Sequence, residues 1–321
     1  MLSSHLFQIP TKKMKTRRVF LSTMAALVAV KSFAQKNSLG PQYPYPISCN
    51  SYNWYTFFGR ENKTWGEDLG LCFEQLVQTG IPAYEPSFNN AEEVEKMSPF
   101  LKKTGIQMPS IYVNSVLHTQ TDGEKSISTI LEIAKAAQKL GTKIIVTNPT
   151  PLVWGGDVLK TDEQLEIQAQ NMDKLGATLR KIGLKLAYHT HDTEMKAGAR
   201  EFHHVMLNTK PQNVSFCMDV HWVYRGSGNS QVAVFDVLKL YGNRIVELHI
   251  RQSVKGIWTE TFGEGDIDYK RFATALKAMN LKPHLVIEQC LEDKTVVSQS
   301  CVEAHIKDLA AIKTTFRAIL E

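Results

Sequence analysis

Short apolar runs alternate with longer stretches of helical periodicity along the chain after residue 45. In the longer stretches, apolar residues recur every three or four positions, as expected for helices that bury one face. The short runs predict strands at residues 47–55, 83–86, 107–114, 143–148, 185–191, 214–220, 244–251 and 284–289. The longer stretches predict helices at residues 68–79, 91–104, 126–140, 162–182, 269–279 and 303–320.

This alternation of strands and helices predicts an α/β fold, and specifically a single (β/α)8 TIM barrel. Eight strand–helix units in roughly 250 residues are typical of that fold. An open doubly wound sheet is the alternative, but it would carry a glycine-rich phosphate loop after the first strand, and the chain has none there. No linker-like or low-complexity stretch divides the chain, so we predict one barrel domain over residues 35–321.

The first 34 residues differ from the rest of the chain in charge and pattern. They contain basic residues but no acidic ones. Without them the formal net charge of the chain falls from +5 to about −1. Arg17 and Arg18 precede a short apolar run at residues 25–30 and a small-x-small cleavage pattern at residues 32–34. This order predicts a twin-arginine-type export signal over residues 1–34 and a periplasmic location. The apolar run is far shorter than the roughly 20 residues of a membrane span, so we expect no stable span.

The remaining composition narrows the partners that we expect. Without the N-terminal charges there is no basic field for phosphate backbones, so we expect no nucleic-acid partner. The cysteines follow no CxxC spacing, which favours buried apolar thiols over a disulfide framework. The sequence leaves a homo-oligomer open.

Four short motifs at the ends of predicted strands carry metal-binding residue types. In a βα barrel, function gathers at the C-terminal ends of the strands. One Asp, one or two His and one Glu there form a mixed oxygen and nitrogen site, which suits Mn2+, Zn2+, Fe2+, Co2+ or Mg2+ better than Ca2+. The residues that we predict to bind a divalent metal are His189, Asp219, His249 and Glu288, with His191 as the alternative first histidine.

Each predicted ligand also has a structural interpretation. A histidine at a strand end is commonly a structural residue, Asp219 could cap the next helix, and Glu288 could form a surface ion pair. The occurrence of all four at consecutive strand ends favours the metal site.

The motifs resemble the xylose-isomerase-like barrels, a family that includes sugar isomerases and epimerases, inosose dehydratases and endonuclease IV-type repair enzymes. The resemblance covers residues 45–320, and its most specific pieces are residues 188–192, 219–223, 248–250, 262–269 and 286–289. In that family a metal is held by Glu, Asp, His and Glu from strands five to eight. Asp219, His249 and Glu288 match in residue type, whereas His189 stands where the first Glu is expected.

The histidine at position 189 changes the chemistry that the resemblance implies. Epimerases of the family use two metal-bound carboxylates that flank the substrate carbon, and only Glu288 keeps its place here. A histidine can bind a metal and can also act as a base near neutral pH. One-base enolisation, isomerisation or β-elimination therefore fits better than symmetric epimerisation. The acid–base candidates are Glu288, His191 and Glu85, with Glu194 as a further one.

Aromatic and arginine residues near the predicted strand ends are candidates for substrate binding. Aromatic planes suit the apolar faces of a sugar ring, and arginine can bind a carboxylate or phosphate through two hydrogen bonds. These residues could instead pack at the barrel rim, and the arginines could pair with Asp219 or Glu247. The candidates are Trp54, Trp154, Trp222, Trp258, Arg225 and Arg251.

The resemblance implies a metal-dependent isomerase or epimerase that acts on a sugar or keto-sugar through an enediolate-like intermediate. A lyase or dehydratase that eliminates from a keto-sugar or 3-keto-glycoside is the close alternative, and His189 favours it. Endonuclease IV-like DNA repair agrees less well with the charge and the export signal. A non-catalytic sugar-binding protein that keeps the barrel is the remaining alternative.

Overall fold

The computed structural model of the protein describes residues 44–321, so the predicted export signal at residues 1–34 lies outside the described residues. The strands are β1 (Ser48–Asn50), β2 (Ala83–Glu85), β3 (Ser110–Tyr112), β4 (Ile144–Thr147), β5 (Lys185–His189), β6 (Val214–Asp219), β7 (Ile245–Ile250), β8 (Ser253–Val254), β9 (Ile257–Trp258) and β10 (His284–Ile287). The helices are α1 (Ser51–Arg60), α2 (Leu69–Thr79), α3 (Ala91–Thr104), α4 (Gln120–Gln138), α5 (Asp162–Lys181), α6 (Lys196–Asn208), α7 (Val220–Gly226), α8 (Gln231–Tyr241), α9 (Tyr269–Ala278), α10 (Cys301–Thr315) and α11 (Arg317–Leu320).

Eight strands form one sheet in the order β2-β1-β10-β7-β6-β5-β4-β3, and all neighbouring pairs are parallel. The two end strands approach each other through isolated parallel bridges, Ala83 with Gln107 and Ser87 with Tyr112. The sheet is therefore nearly closed, and the predicted (β/α)8 barrel is confirmed. The strands β8 and β9 form a small antiparallel hairpin after β7.

The first predicted strand is wrong beyond Asn50. The side-chain oxygen of Asn50 accepts a hydrogen bond from the backbone N–H of Tyr52 at 2.7 Å and so caps α1. Asparagine is among the preferred residues at a helix N-terminus because it satisfies a free backbone donor there. The chain consequently turns from strand to helix directly after β1, and residues 51–55 are helical.

The strand β6 also ends at a cap, one residue earlier than predicted. The Asp219 carboxylate accepts a hydrogen bond from the backbone N–H of Trp222 at 2.7 Å and begins the short helix α7. Asp219 therefore caps a helix, which is the structural role that the sequence left open. Only one of its two carboxylate oxygens makes this bond, which leaves the other for the site described below.

The helices pack apolar faces on the outside of the sheet. In α5, for example, Leu165, Met172, Leu175 and Leu179 are all buried. The cysteines all lie in the described part of the chain, buried and unpaired, as predicted. Within residues 44–321, no helix is both long enough and apolar enough to cross a membrane.

The barrel interior carries a buried polar cluster in addition to apolar residues. The interiors of such barrels are commonly filled with branched apolar side chains. Here the His284 ring contacts Ser48 Oγ at 2.8 Å through Nε2 and Glu247 Oε2 at 2.7 Å through Nδ1. Glu85 and Ser110 share the same interior, and all of these residues are fully buried. This interior polar cluster lies beneath the C-terminal mouth of the barrel and connects to it through His249, as described below.

Candidate active site

The four predicted metal ligands come together at the C-terminal mouth of the barrel. His189 ends β5, Asp219 ends β6, His249 lies near the end of β7, and Glu288 directly follows β10. The strand register places Asp219 directly opposite His249. Each of the four offers one nitrogen or oxygen atom, and these atoms all lie within 4.8 Å of one another. We call these residues the ligand quartet.

The ligand quartet fits a divalent cation. His189 Nε2 lies 3.6 Å from Asp219 Oδ2, and His249 Nδ1 lies 3.4 Å from Glu288 Oε2. Both ring nitrogens are buried and have no hydrogen-bond partner among residues 44–321. Buried polar atoms are rarely left without a partner, and two imidazole nitrogens with two carboxylate oxygens suit the transition metals and Mg2+. The quartet therefore forms a possible buried metal site.

The structure shows which of His189 and His191 belongs to the ligand quartet, a choice that the sequence leaves open. The His191 ring lies outside the quartet, 4.8 Å from the His189 ring and 5.0 Å from the Trp154 ring. Burial lowers the pKa of His191 well below its usual value, and the neighbouring His189 lowers it further. Its Nδ1 is buried without a partner in the described part of the chain. His191 is thus a neutral imidazole beside the quartet.

Arg251 reaches into the quartet and contacts both of its carboxylates. Its Nη2 donates to Asp219 Oδ2 at 2.7 Å and to Glu288 Oε2 at 2.5 Å. Burial disfavours the charged form of Glu288, but Arg251, His249 and His189 together outweigh this effect and lower the pKa of Glu288. The ionised form of this carboxylate is therefore favoured.

Glu85 lies beneath the quartet, and its position corrects the expectation that it is an acid–base catalyst. It is fully buried, and its Oε1 lies 2.9 Å from His249 Nε2. Asn50 Nδ2 donates to the same oxygen at 2.6 Å, and Ser110 Oγ donates to the other oxygen at 2.5 Å. Contact with Nε2 leaves Nδ1 of His249 facing Glu288. The geometry makes Glu85 a residue that orients a candidate metal ligand, and it does not line the cavity above.

A cavity of about 510 Å³ opens above the quartet at the mouth of the barrel. Five of the predicted site residues line it, namely Trp154, His191, Trp222, Arg251 and Glu288. Trp154 is about half exposed. A volume of this size is typical of small-molecule sites, which are concave and combine aromatic walls with a few polar groups.

Sequence reasoning missed several polar residues that line this cavity. Asn50 and Tyr112 are the last residues of β1 and β3, and Asn114 follows β3 closely. The rule that function gathers at strand ends points to them. Amides and a single tyrosine, however, carry no distinctive metal-ligand or acid–base signal in a sequence.

Trp54 is a correction, because the structure places it in the hydrophobic core. It is fully buried on α1, and its ring stacks on Trp65 with the centroids 4.3 Å apart. Its indole N–H is directed at Cys49 Sγ at 3.5 Å. The helix that begins at Ser51 turns Trp54 away from the barrel mouth, so it does not line the cavity.

Trp258 and Arg225 also do not line the cavity, and this corrects their assignment as substrate contacts. The Trp258 ring is buried on the hairpin, with the Arg251 guanidinium carbon 4.2 Å from its centroid. Arg225 stacks on the same ring at 4.7 Å and pairs with Glu292 at 2.9 Å. Trp258 therefore packs against Arg251, and Arg225 packs against Trp258.

Glu194, the further acid–base candidate, is also buried outside the cavity lining. It accepts hydrogen bonds from Asn148 Nδ2 at 3.0 Å and from the backbone N–H of His191 at 2.6 Å. Burial raises its pKa, with a further contribution from Glu201. Its contact with the His191 backbone makes it a support for the loop that carries this histidine.

Comparison with known proteins places this architecture among characterised barrels. A model of the xylose isomerase-like TIM barrel family matches residues 73–309. Inosose dehydratase of Clostridium perfringens is 25% identical over 247 residues, which cover 68% of this chain and 80% of the relative.

Two solved structures share the fold at low sequence identity. A sugar phosphate isomerase/epimerase from Parabacteroides distasonis superposes with a TM-score of 0.64 and 16% identity, over 86% of this chain and 96% of the other. The 3-keto-D-glucoside 4-epimerase from E. coli superposes with a TM-score of 0.62 and 14% identity, over 84% and 99% of the two chains. At these identities the likeness concerns the fold alone.

Proposed function

Because this chain belongs to the xylose isomerase-like TIM barrel family, we propose that it is a metal-dependent lyase that eliminates a substituent from a keto-sugar or keto-glycoside. His189, Asp219, His249 and Glu288 would hold the divalent metal, which could be Mn2+, Zn2+, Mg2+, Co2+ or Fe2+. When bound, such a metal polarises carbonyl and hydroxyl oxygens and stabilises negative charge that develops on them.

The single observation that carries this proposal is the histidine at position 189. Epimerisation by two carboxylates needs one on each face of the substrate carbon. Of the two carboxylates in the ligand quartet, only Glu288 lines the cavity. Elimination needs one base on one face, because the proton is removed and not returned to carbon. The similarity to inosose dehydratases supports the same reaction class.

His191 is the residue that we assign to the proton transfer. It lines the cavity, and its buried Nδ1 has no partner within the described residues. In the proposed step Nδ1 takes the proton from the carbon next to the carbonyl. The C–H electrons form the new double bond, the bond from the β-carbon to its oxygen substituent breaks, and the proton passes to the departing oxygen.

The aromatic walls of the cavity would hold the sugar ring over this base. Trp154 and Trp222 both line the cavity, and their rings lie 5.0 and 5.6 Å from the His191 ring. Tryptophan faces pack well against the apolar face of a ring while its hydroxyls reach polar groups.

A second candidate is an isomerase or epimerase that acts through an enediolate-like intermediate. The observation that favours it is that Glu288 and His191 line the same cavity. One of them could remove a proton and the other return it to carbon. This mechanism would use an asymmetric pair in place of two carboxylates.

Incubation with keto-sugars and 3-keto-glycosides in D2O with Mn2+, followed by NMR, tests both candidates. The lyase predicts release of water or the alcohol and an unsaturated product, whereas the isomerase or epimerase predicts a rearranged sugar that carries deuterium. Protein treated with a chelator is the control. Absence of either product from protein that has bound Mn2+ would contradict both proposals.

The two tryptophans that the sequence treats alike should behave differently when replaced. Trp222→Leu is expected to raise KM about tenfold, because an aromatic wall of the cavity is lost. Trp54→Leu is expected to leave KM unchanged and to lower the free energy of unfolding by about 1–3 kcal/mol, because it leaves a cavity in the core. Steady-state kinetics and denaturant unfolding measure the two effects, and a raised KM for Trp54→Leu would contradict its placement.

The location of the protein follows from the predicted signal. We propose that residues 1–34 direct export to the periplasm, where the substrate would be a small molecule. Fractionation of cells that express the full chain tests this, since retention in the cytoplasm would contradict it.

A further inference from the structure

Arg251 is buried at the barrel mouth with its charge directed at the ligand quartet. Its side chain is 1% exposed, and both hydrogens of Nη2 are used, one for Asp219 Oδ2 and one for Glu288 Oε2. Nε and Nη1 have no partner among residues 44–321. Every hydrogen bond that the guanidinium makes in this part of the chain thus goes to a candidate metal ligand.

The two oxygens that Arg251 contacts are also the ones closest to the imidazoles. Asp219 Oδ2 lies nearest to His189 Nε2, and Glu288 Oε2 lies nearest to His249 Nδ1. Asp219 Oδ1 is occupied by the cap of α7. A cation bound through the carboxylate oxygens nearest to the imidazoles would therefore compete with the guanidinium for them.

The two carboxylates of the quartet do not by themselves balance the charges of both cations. The two carboxylates carry two negative charges, whereas a divalent metal together with the guanidinium brings three positive ones. At separations of a few ångströms in a buried site, like charges repel strongly. Each cation is therefore expected to weaken the binding of the other.

A second buried arginine shows what a purely structural arrangement looks like. Arg244 donates to Val214 O, to Thr209 Oγ1 and to Met206 O, and none of these atoms belongs to the site. Its donors are satisfied by the backbone and a hydroxyl, as structural arginines require. Arg251 instead has unused donors and lies along the face of the Trp258 ring, with its guanidinium next to the cavity.

We propose that Arg251 is a built-in competitor for the divalent metal. It neutralises Asp219 and Glu288 in the metal-free protein, and metal binding requires it to release their oxygens. This inference rests on the proposed metal dependence. The consequence is that the quartet binds metal more weakly than its four side chains alone would, and that metal binding frees a guanidinium beside the cavity.

The test is the Mn2+ affinity of Arg251→Gln, measured by isothermal titration calorimetry on the full chain. Removal of the competing cation is expected to tighten Mn2+ binding at least about tenfold. Without Mn2+ the variant should melt at a lower temperature than the wild type, because two buried carboxylates lose their cation, and Mn2+ should raise its melting temperature more. Arg251→Met, which keeps a long side chain against Trp258, is the second variant if Arg251→Gln fails to fold.

Arg225→Gln is the matched control. Arg225 stacks on the same Trp258 ring but pairs with Glu292 and not with the quartet. Its replacement should leave Mn2+ affinity within about twofold of the wild type. This control separates loss of charge near the tryptophan from loss of the competing contact.

The outcomes separate this inference from the proposed function. Wild-type protein that binds Mn2+ while both Arg251 variants bind it equally or more weakly would overturn the competition and leave the metal-dependent function standing. No Mn2+ binding by the wild type or by either variant would overturn both. Mn2+ binding by the Arg251 variants but not by the wild type would support the inference and mean that Arg251 excludes the metal completely.

Discussion

Asp219→Asn is expected to lower metal affinity by more than about 100-fold and turnover by a comparable factor, with the fold intact. Residues that merely support a ligand commonly change metal affinity by about 10–100-fold, and loss of a ligand itself should exceed that. The substitution removes the negative charge of the carboxylate that belongs to the quartet and contacts Arg251. An amide oxygen is a much weaker ligand for these cations than a carboxylate.

The fold should survive this change because the other oxygen of Asp219 has a separate task. It caps α7, and asparagine is as good a cap as aspartate. Mn2+ titration, the turnover rate and the melting temperature measure the three effects.

The matched control for this change is Asp268→Asn. Asp268 caps α9 by accepting from the Arg271 backbone N–H at 2.9 Å, and it lies outside the quartet. The Asp268→Asn variant should bind metal like the wild type. Full metal occupancy in Asp219→Asn would show that Asp219 is only a cap.

The barrel could be predicted from the sequence because its signal is local and repeated. Each strand is a short apolar run and most of the large helices have an apolar face, so errors at single boundaries do not change the fold. Two of the misplaced strand ends, those of β1 and β6, share one reason. A single side-chain oxygen, on Asn50 and on Asp219, turns a strand into a helix, and apolar periodicity does not register such a cap.

The ligand quartet could be predicted in outline because its members lie at strand ends that a barrel brings together. The partners of these residues could not be predicted from the sequence. Glu85 meets His249 and Ser48 meets His284 across large separations in sequence. No local pattern indicates which interior side chains will meet, because strand order and register decide it. The sequence leaves the pairing of Arg251 with Asp219 as one of two alternatives and does not indicate its contact with Glu288.

Glu85→Ala is expected to weaken metal binding about 100-fold, and Glu85→Gln about tenfold. A carboxylate that accepts from one ring nitrogen of a histidine fixes its orientation and makes the other nitrogen a better ligand. Glutamine keeps the shape and the contact with His249 Nε2, but it loses the charge. Burial, followed by the nearby Glu247, raises the pKa of Glu85, so the neutral amide should cost little stability.

Mn2+ titration and thermal unfolding of both variants separate orientation of His249 from simple packing. If Glu85 orients His249, metal affinity falls in the order wild type, Gln, Ala, and the glutamine variant keeps nearly the wild-type melting temperature. Glu201→Gln is the matched control, because Glu201 is another buried carboxylate, paired with Lys160 at 2.7 Å outside the quartet. The Glu201→Gln variant should have a lower melting temperature and the metal affinity of the wild type. Wild-type metal affinity in Glu85→Ala would mean that His249 is held in place without Glu85.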